Sequence, residues 1–247
     1  MNHYQKIVVP DDKELFIVGD LHGNADLYDR TLHEFGITDK DYVFSVGDVI
    51  DRGERSARLL FEFLFKPNRY MILGNHEHMC IMGETRRDFY HCHMQNGGDK
   101  FLDEVGESGI QFFRQYLDQL PLIIEIHHRG MKIGLVHGGV PLRYTDWSTF
   151  VNDVKPMRWD LIEEIIWDRK VFDQCNNNKT PNAPKINGID YVISGHTGVV
   201  DPLMYGNRIW IDSQFLSGDL TFTMFSGNTP RHFRREHDEH SFNRFKR

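Results

Sequence analysis

The sequence predicts an α/β (α+β) fold: a β-sandwich of mixed sheets flanked by helices, with a polar site at the carboxyl ends of the strands. Three observations predict it. Five short apolar runs of strand length recur along the 247 residues, and each passes directly into a turn of glycine and metal-type polar residues. Helical spacing of apolar residues fills the gaps between the early runs, an alternation that layered α/β domains show. Later runs follow one another without helices between them, so the sheets are mixed rather than parallel throughout.

The elements follow in order. Leu15–Val18 runs into Gly19-Asp20-Leu21-His22-Gly23, and Tyr42–Val46 into Gly47-Asp48-Val49-Ile50-Asp51-Arg52-Gly53. Tyr70–Leu73 runs into Gly74-Asn75-His76-Glu77, Ile133–Val136 into His137-Gly138-Gly139, and Tyr191–Ser194 into Gly195-His196-Thr197-Gly198. Helices are expected over Ala25–Phe35, Ser56–Phe65 and Phe112–Leu120, the last stopped by Pro121. Further strands are expected over Leu122–Ile126, Arg208–Asp212 and Leu220–Phe225. Met82–Gly98, rich in Arg, His and Gly, reads as a loop, and Cys175–Gly188, with three consecutive Asn and two Pro, as a turn-rich one. Residues 1–225 are expected to form a single catalytic domain. Residues 226–247 carry six Lys or Arg against three Asp or Glu and read as a basic, His-rich tail, peripheral or disordered.

Composition narrows the function. With 36 acidic residues against 29 basic ones the net charge is −7, the wrong sign for a protein that coats nucleic acid. No apolar run approaches the roughly 20 residues of a membrane span, and Met1–Asp12 has no secretory core. Three cysteines without a pattern suit a reducing, cytoplasmic setting. Cys80, His91, Cys92 and His93 have poor spacing for a zinc module. Fourteen histidines are unusual, and the question is which of them belong to a site.

The polar residues behind the five runs form a chemical set. Asp20, Asp48 and Asn75 offer oxygen; His22, His137 and His196 offer imidazole nitrogen. That mixture suits Mn²⁺, Fe or Zn²⁺ better than Ca²⁺ or a thiolate-bound metal. Six ligands exceed what one catalytic ion with open positions needs, whereas two ions sharing a carboxylate use all six. Asp48 is the natural bridge. Arg52 has the planar fork that grips phosphate oxygens. His76 can act as a general acid, and Asp51 can orient it. Any one of these turns read alone would be ordinary; Arg52 would be a surface ion pair, Asp51 a helix cap and His76 a core residue.

Together the motifs resemble those of the metal-dependent serine/threonine phosphoprotein phosphatases. Gly-Asp-x-His-Gly, Gly-Asp-x-x-Asp-Arg-Gly, Gly-Asn-His-Glu, His-Gly-Gly and Gly-His-Thr all stand here in order. Asn96-Gly97-Gly98, Leu120–Glu125 and Ile166-Trp167-Asp168-Arg169 are similar to the compact bacterial and phage branch. The resemblance covers about Phe16 to Phe225. It implies a dinuclear centre: one divalent metal on Asp20, His22 and Asp48, the second on Asp48, Asn75, His137 and His196, with Mn²⁺ the first choice. It also adds Arg169, through its Trp-x-Arg setting, as a second phosphate-binding arginine beside Arg52. The loop that lets eukaryotic relatives bind toxins has no counterpart around Ser213–Gly218.

The expected activity is hydrolysis of phosphomonoesters by a hydroxide held between the two ions, with His76 and Asp51 serving the leaving group. The substrates would be phosphoserine or phosphothreonine proteins, or other small phosphoesters, with phosphotyrosine open. Symmetrical dinucleoside tetraphosphate hydrolases are the runner-up; they tend to lack the Asp seen here as Asp51 and to carry Asp in place of Glu77. A non-catalytic binding protein on the same scaffold would have lost a ligand, and none is lost. Nucleic acid and membrane partners are not expected. Met82–Gly98 reads equally as a lid near the phosphate or as a solvated loop.

Overall fold

A computed structural model of the chain describes residues 3–156, 159–167, 169–177 and 184–234. Its strands are β1 (Tyr4–Val8), β2 (Leu15–Val18), β3 (Tyr42–Ser45), β4 (Arg69–Met71), β5 (Ile123–His128), β6 (Met131–Val136), β7 (Tyr191–Ser194), β8 (Leu203–Tyr205), β9 (Arg208–Trp210), β10 (Phe222–Ser226) and β11 (Thr229–Phe233). They form a five-stranded sheet, β11-β10-β2-β3-β4, and a six-stranded sheet, β1-β5-β6-β7-β9-β8. Both sheets are mixed: β2, β3 and β4 run parallel while β10 pairs antiparallel to β2, and β6, β7 and β9 run parallel while β5 pairs antiparallel to β6.

The two sheets face each other across a core of Ile17, Phe44, Val46 and Ile72 on one side and Ile124, Ile126, Ile133, Leu135 and Ile193 on the other. Side chains alternate along a strand, so Phe16, Val18 and Val43 point the opposite way. They are covered by α1 (Ala25–Glu34), α2 (Ser56–Phe65) and α5 (Asp99–Leu117) through Leu27, Tyr28, Leu59, Phe63 and Phe113. Between α2 and α5 the chain forms α3 (Asn75–Met82), α4 (Arg87–His93) and a π-type turn, Met94–Gly98. The outer face of the six-stranded sheet, with Ile123 and Val136, is covered by α6 (Trp147–Val154) and α7 (Trp159–Trp167). Burial on both faces explains why these strands read as continuous apolar runs rather than alternating ones. Then come α8 (Lys170–Asn177) and the short α9 (Gln214–Ser217).

Several expectations change. Met82–Gly98 is not a loop, since α4 and the π-type turn occupy most of it. The helix expected from Phe112 begins at Asp99. The boundary expected at residue 225 cuts through β10. Thr229–Phe233 forms β11 on the same sheet, and Phe233 packs edge-on against Phe16 and Phe35 at 5.9 and 4.4 Å between ring centres. Residues 226–234 are therefore part of the domain, whereas 235–247 lie outside the described residues. No helix among the described residues is long and apolar enough to cross a membrane.

Candidate metal centre

Strand register brings the site together. Val18, Ser45 and Met71 are level across β2, β3 and β4, and Ser194 is level with Trp210 across β7 and β9. The turns beyond these ends converge, and Asp20, His22, Asp48, Asn75, His196, His76, Arg52 and Arg169 line one cavity of about 260 Å³. His137 reaches it from the end of β6, with Nε2 3.0 Å from Asn75 Oδ1 and 3.3 Å from Asp48 Oδ1. Asp51 lies behind His76, its Oδ2 2.7 Å from His76 Nδ1. Arg169 stands at the rim and donates to the His196 carbonyl at 3.2 Å. All ten residues singled out in the sequence thus fall at one place.

The turns are tight enough to force unusual backbone. His22, Asp48, Asp51, Arg52 and His196 carry φ values of 42°, 51°, 74°, 62° and 62°. A non-glycine residue there costs about 1–3 kcal/mol and persists only when its surroundings over-determine it. Glycine is required where the turns touch. A Cβ on Gly74 would lie 2.2 Å from Asp48 Oδ1, and one on Gly195 2.0 Å from Asp20 Oδ1.

Each of the three ligand-type imidazoles has one nitrogen tied to a backbone carbonyl. His137 Nδ1 donates to Val46 O at 2.7 Å, His22 Nδ1 to Ile50 O at 3.2 Å, and His196 Nε2 to Trp167 O at 2.8 Å. In a neutral ring this fixes the tautomer and leaves the other nitrogen bare, as metal-binding histidines require. Burial pushes His196 down to about 3 and His22 to about 3, so both are neutral. The bare His196 Nδ1 then faces Asn75 Oδ1 at 2.7 Å, acceptor to acceptor. A cation relieves that opposition.

The carboxylates make the same demand. Burial and the nearby Asp212 and Asp48 push Asp20 well above the usual carboxylate range. Burial opposes ionisation of Asp48 too, but the surrounding His137, His76 and His22 outweigh it and hold Asp48 well below that range. His22, Asp48 and His76 each offer an atom within 4.8 Å of the others, as do Asp48, His137 and His196. Asp20 stands slightly outside the first group, its Oδ2 4.0 Å from His22 Nε2 and bonded at 3.1 Å by the His196 amide. The donor set and its charge fit two divalent cations. Among the described residues, Cys80, Cys92, His91 and His93 form no such group.

Three further residues of the site had no role assigned from the sequence. Glu77 is wholly buried and accepts from the amides of Asp48, Val49, Ile50 and Gly74 at 2.8–3.2 Å, fixing the Asp48 turn. Burial and the Asp48 charge push it up to about 7. Asp212, two residues past the end of β9, lines the cavity, and its Oδ1 is buried without a hydrogen-bond partner. Its signal was an apolar run ending in Asp, but without the glycine. His93 reaches Asp51 from α4.

A family profile described as calcineurin-like phosphoesterase matches residues 14–200. The chain belongs to the calcineurin-like phosphoesterases. It is therefore a hydrolase of a family built around a dinuclear divalent metal centre. This phosphoesterase is 30% identical over 224 residues to serine/threonine-protein phosphatase 2 of Escherichia coli (strain K12), covering 89% of this chain and 96% of the relative. It is 28% identical over 139 residues to a symmetrical bis(5'-nucleosyl)-tetraphosphatase of Acidovorax ebreus (strain TPSY), covering 55% of this chain and 47% of the relative. Its fold matches a protein serine/threonine phosphatase of Saccharomyces cerevisiae with a TM-score of 0.63 at 17% identity, covering 97% of this chain and 85% of the other.

Proposed function

We propose that this phosphoesterase is a metal-dependent phosphoprotein phosphatase. Asp20, His22 and Asp48 would hold one divalent cation, and Asp48, Asn75, His137 and His196 the second. Mn²⁺ suits this mixture of oxygen and imidazole best, with Fe and Zn²⁺ as substitutes. When bound, the two ions lower the pKa of a water and offset charge on the phosphate. The observation that carries the phosphomonoesterase reading is the line Asp51–His76–Arg52. His76 Nδ1 is 2.7 Å from Asp51, and its Nε2 meets Arg52 Nη2 at 3.1 Å inside the cavity.

In this reading a phosphate enters between Arg52 and His76. Arg52 and Arg169 take its equatorial oxygens, which frees His76 Nε2 from the Arg52 N–H it accepts; once protonated at Nε2, the ring gives that proton to the leaving oxygen. Burial alone would lower His76, but the Asp48 and Asp51 charges outweigh it and raise its proton affinity. Asp51 holds Nδ1 and stabilises the imidazolium, as a carboxylate does behind a catalytic histidine. Because the nucleophile is water, no phosphoenzyme forms.

A protein substrate is supported by what adjoins the site. His22, Arg52 and Phe215 also line a second cavity of about 610 Å³, room for residues beside a phosphorylated side chain. Phe215 is 77% exposed at its lip. Three free cysteines support a reducing, cytoplasmic setting. The second reading, a dinucleoside tetraphosphate substrate, is favoured by the likeness to the Acidovorax tetraphosphatase. The test is turnover of phosphoserine, phosphothreonine and phosphotyrosine peptides, small phosphoesters and dinucleoside tetraphosphate with Mn²⁺ present. Phosphopeptides should lead; preference for the dinucleotide would replace this reading with the second.

A further inference from the structure

Asp51 serves two imidazoles. His76 Nδ1 reaches its Oδ2 at 2.7 Å, and His93 Nε2 reaches Oδ2 at 2.9 Å and Oδ1 at 3.0 Å. Asp51 is wholly buried and His93 nearly so. We propose that His93 is a positioning residue for the leaving-group acid, holding the Asp51 carboxylate in the orientation that aims His76. The proposal rests on the reading of His76 as that acid.

The geometry assigns the work. A carboxylate bonded only by His76 can turn about its own Cβ–Cγ bond and carry His76 Nδ1 with it. His93 spans both oxygens, so it fixes the carboxylate plane. The segment bearing His93 is built for this contact. Gly98 packs against the His93 ring so closely that a Cβ there would lie 2.5 Å from it. One residue earlier, Gly97 O accepts from the Arg52 amide at 3.0 Å. A Cβ on Gly97 would meet the Arg52 amide nitrogen at 2.9 Å. The stretch from α4 through Gly98 therefore braces the side chain of Asp51 and the backbone of Arg52, adjacent residues of one strained turn.

The test is leaving-group dependence in the Mn²⁺-loaded full chain. His93→Phe keeps a planar ring and removes the donor; His93→Gln puts an N–H back where Nε2 stood. A p-nitrophenyl ester needs little protonation of its leaving group, and an alkyl phosphate needs it fully. His93→Phe should lower kcat on the alkyl ester about tenfold or more, part of the 10²–10⁴ that general acid catalysis supplies. Its nitrophenyl turnover, KM and metal content should stay near wild type, and His93→Gln should restore the alkyl rate. Should His93→Phe fail to fold, His93→Asn, whose shorter amide stops short of Asp51, takes its place. Equal loss on both esters, or loss of metal, would make His93 merely structural and overturn the proposal. Wild-type alkyl turnover in His93→Phe, beside a slow His76→Asn, sinks the role of His93 alone. A His76→Asn variant without leaving-group dependence removes the acid itself, and His93 with it.

Discussion

The Glu77 carboxylate lies directly under the Asp48 turn, Oε2 accepting the Asp48 amide at 2.9 Å and Oε1 the Val49 amide at 2.8 Å. Each oxygen also takes one more amide, from Gly74 or Ile50. Glu77→Gln turns one acceptor into a donor facing two N–H groups. Leaving a buried amide unsatisfied costs about 1–3 kcal/mol. Because that turn presents Asp48, Mn²⁺ affinity should fall about 10–100-fold, the usual scale for groups that orient metal ligands. Titration calorimetry reads this directly, and unchanged affinity would remove Glu77 from the role.

Removing His76 separates binding from chemistry. His76→Asn should lower kcat on alkyl phosphates about 10²–10⁴-fold while moving KM much less. Steady-state kinetics on a phosphoserine peptide decide it. Wild-type turnover there would end the assignment of His76 as acid.

Gly195→Ala tests the close approach of the two sheets at the site. The new methyl would sit 2.0 Å from Asp20 Oδ1 and 2.7 Å from a Val46 methyl. Asp20 must turn away, so metal affinity should drop by about 10-fold or more, as when a ligand's surroundings are disturbed. Elemental analysis after gel filtration should find fewer than two ions per chain, and a full complement would count against Asp20 as a ligand.

Away from the site, Glu62 and Arg69 form a buried ion pair at 2.9 Å, with Arg58 and Lys66 also on Glu62. Burial alone would raise Glu62, but these cations outweigh it and lower its pKa from 4.5. Its contribution is present above that ordinary value and is lost as pH falls through the depressed one. Glu62→Gln removes the carboxylate charge on Arg69 Nε, while Arg69 keeps the Asp41, Asn68 and Thr38 carbonyls and Asp39, and should cost about 1–3 kcal/mol at neutral pH. The Tm gap to wild type should be wide at pH 7 and should narrow as pH falls through the depressed Glu62 pKa, below which Glu62 is protonated in both states. A gap that does not change with pH would contradict the assignment.

The site was legible in sequence because its parts are local. A strand that ends in glycine and a metal-type residue writes its role in four or five letters, as Val18-Gly19-Asp20 and Ser194-Gly195-His196 do. Asp212 escaped because its strand ends without glycine. Met82–Gly98 escaped because its order comes from tertiary contact: His93 docks on Asp51, and α4 has little apolar periodicity of its own. The strand β11 left a signal that was not used, the Gly227-Asn228 turn between two runs of strand length. The outer helical layer of α6 and α7 depends on long-range packing, Trp147 lying against Gly134 where no Cβ fits.

On the proposed reading, the converging turns hold two divalent cations, and a phosphomonoester is hydrolysed only when both are bound. The direct measurement is Mn²⁺ titration into metal-stripped protein with phosphate release from a phosphoserine peptide followed at each addition. No phosphate should be released without metal, and the rate should level off at two equivalents. Full activity at one equivalent, or none at any level of Mn²⁺, Fe²⁺ or Zn²⁺, would contradict this reading.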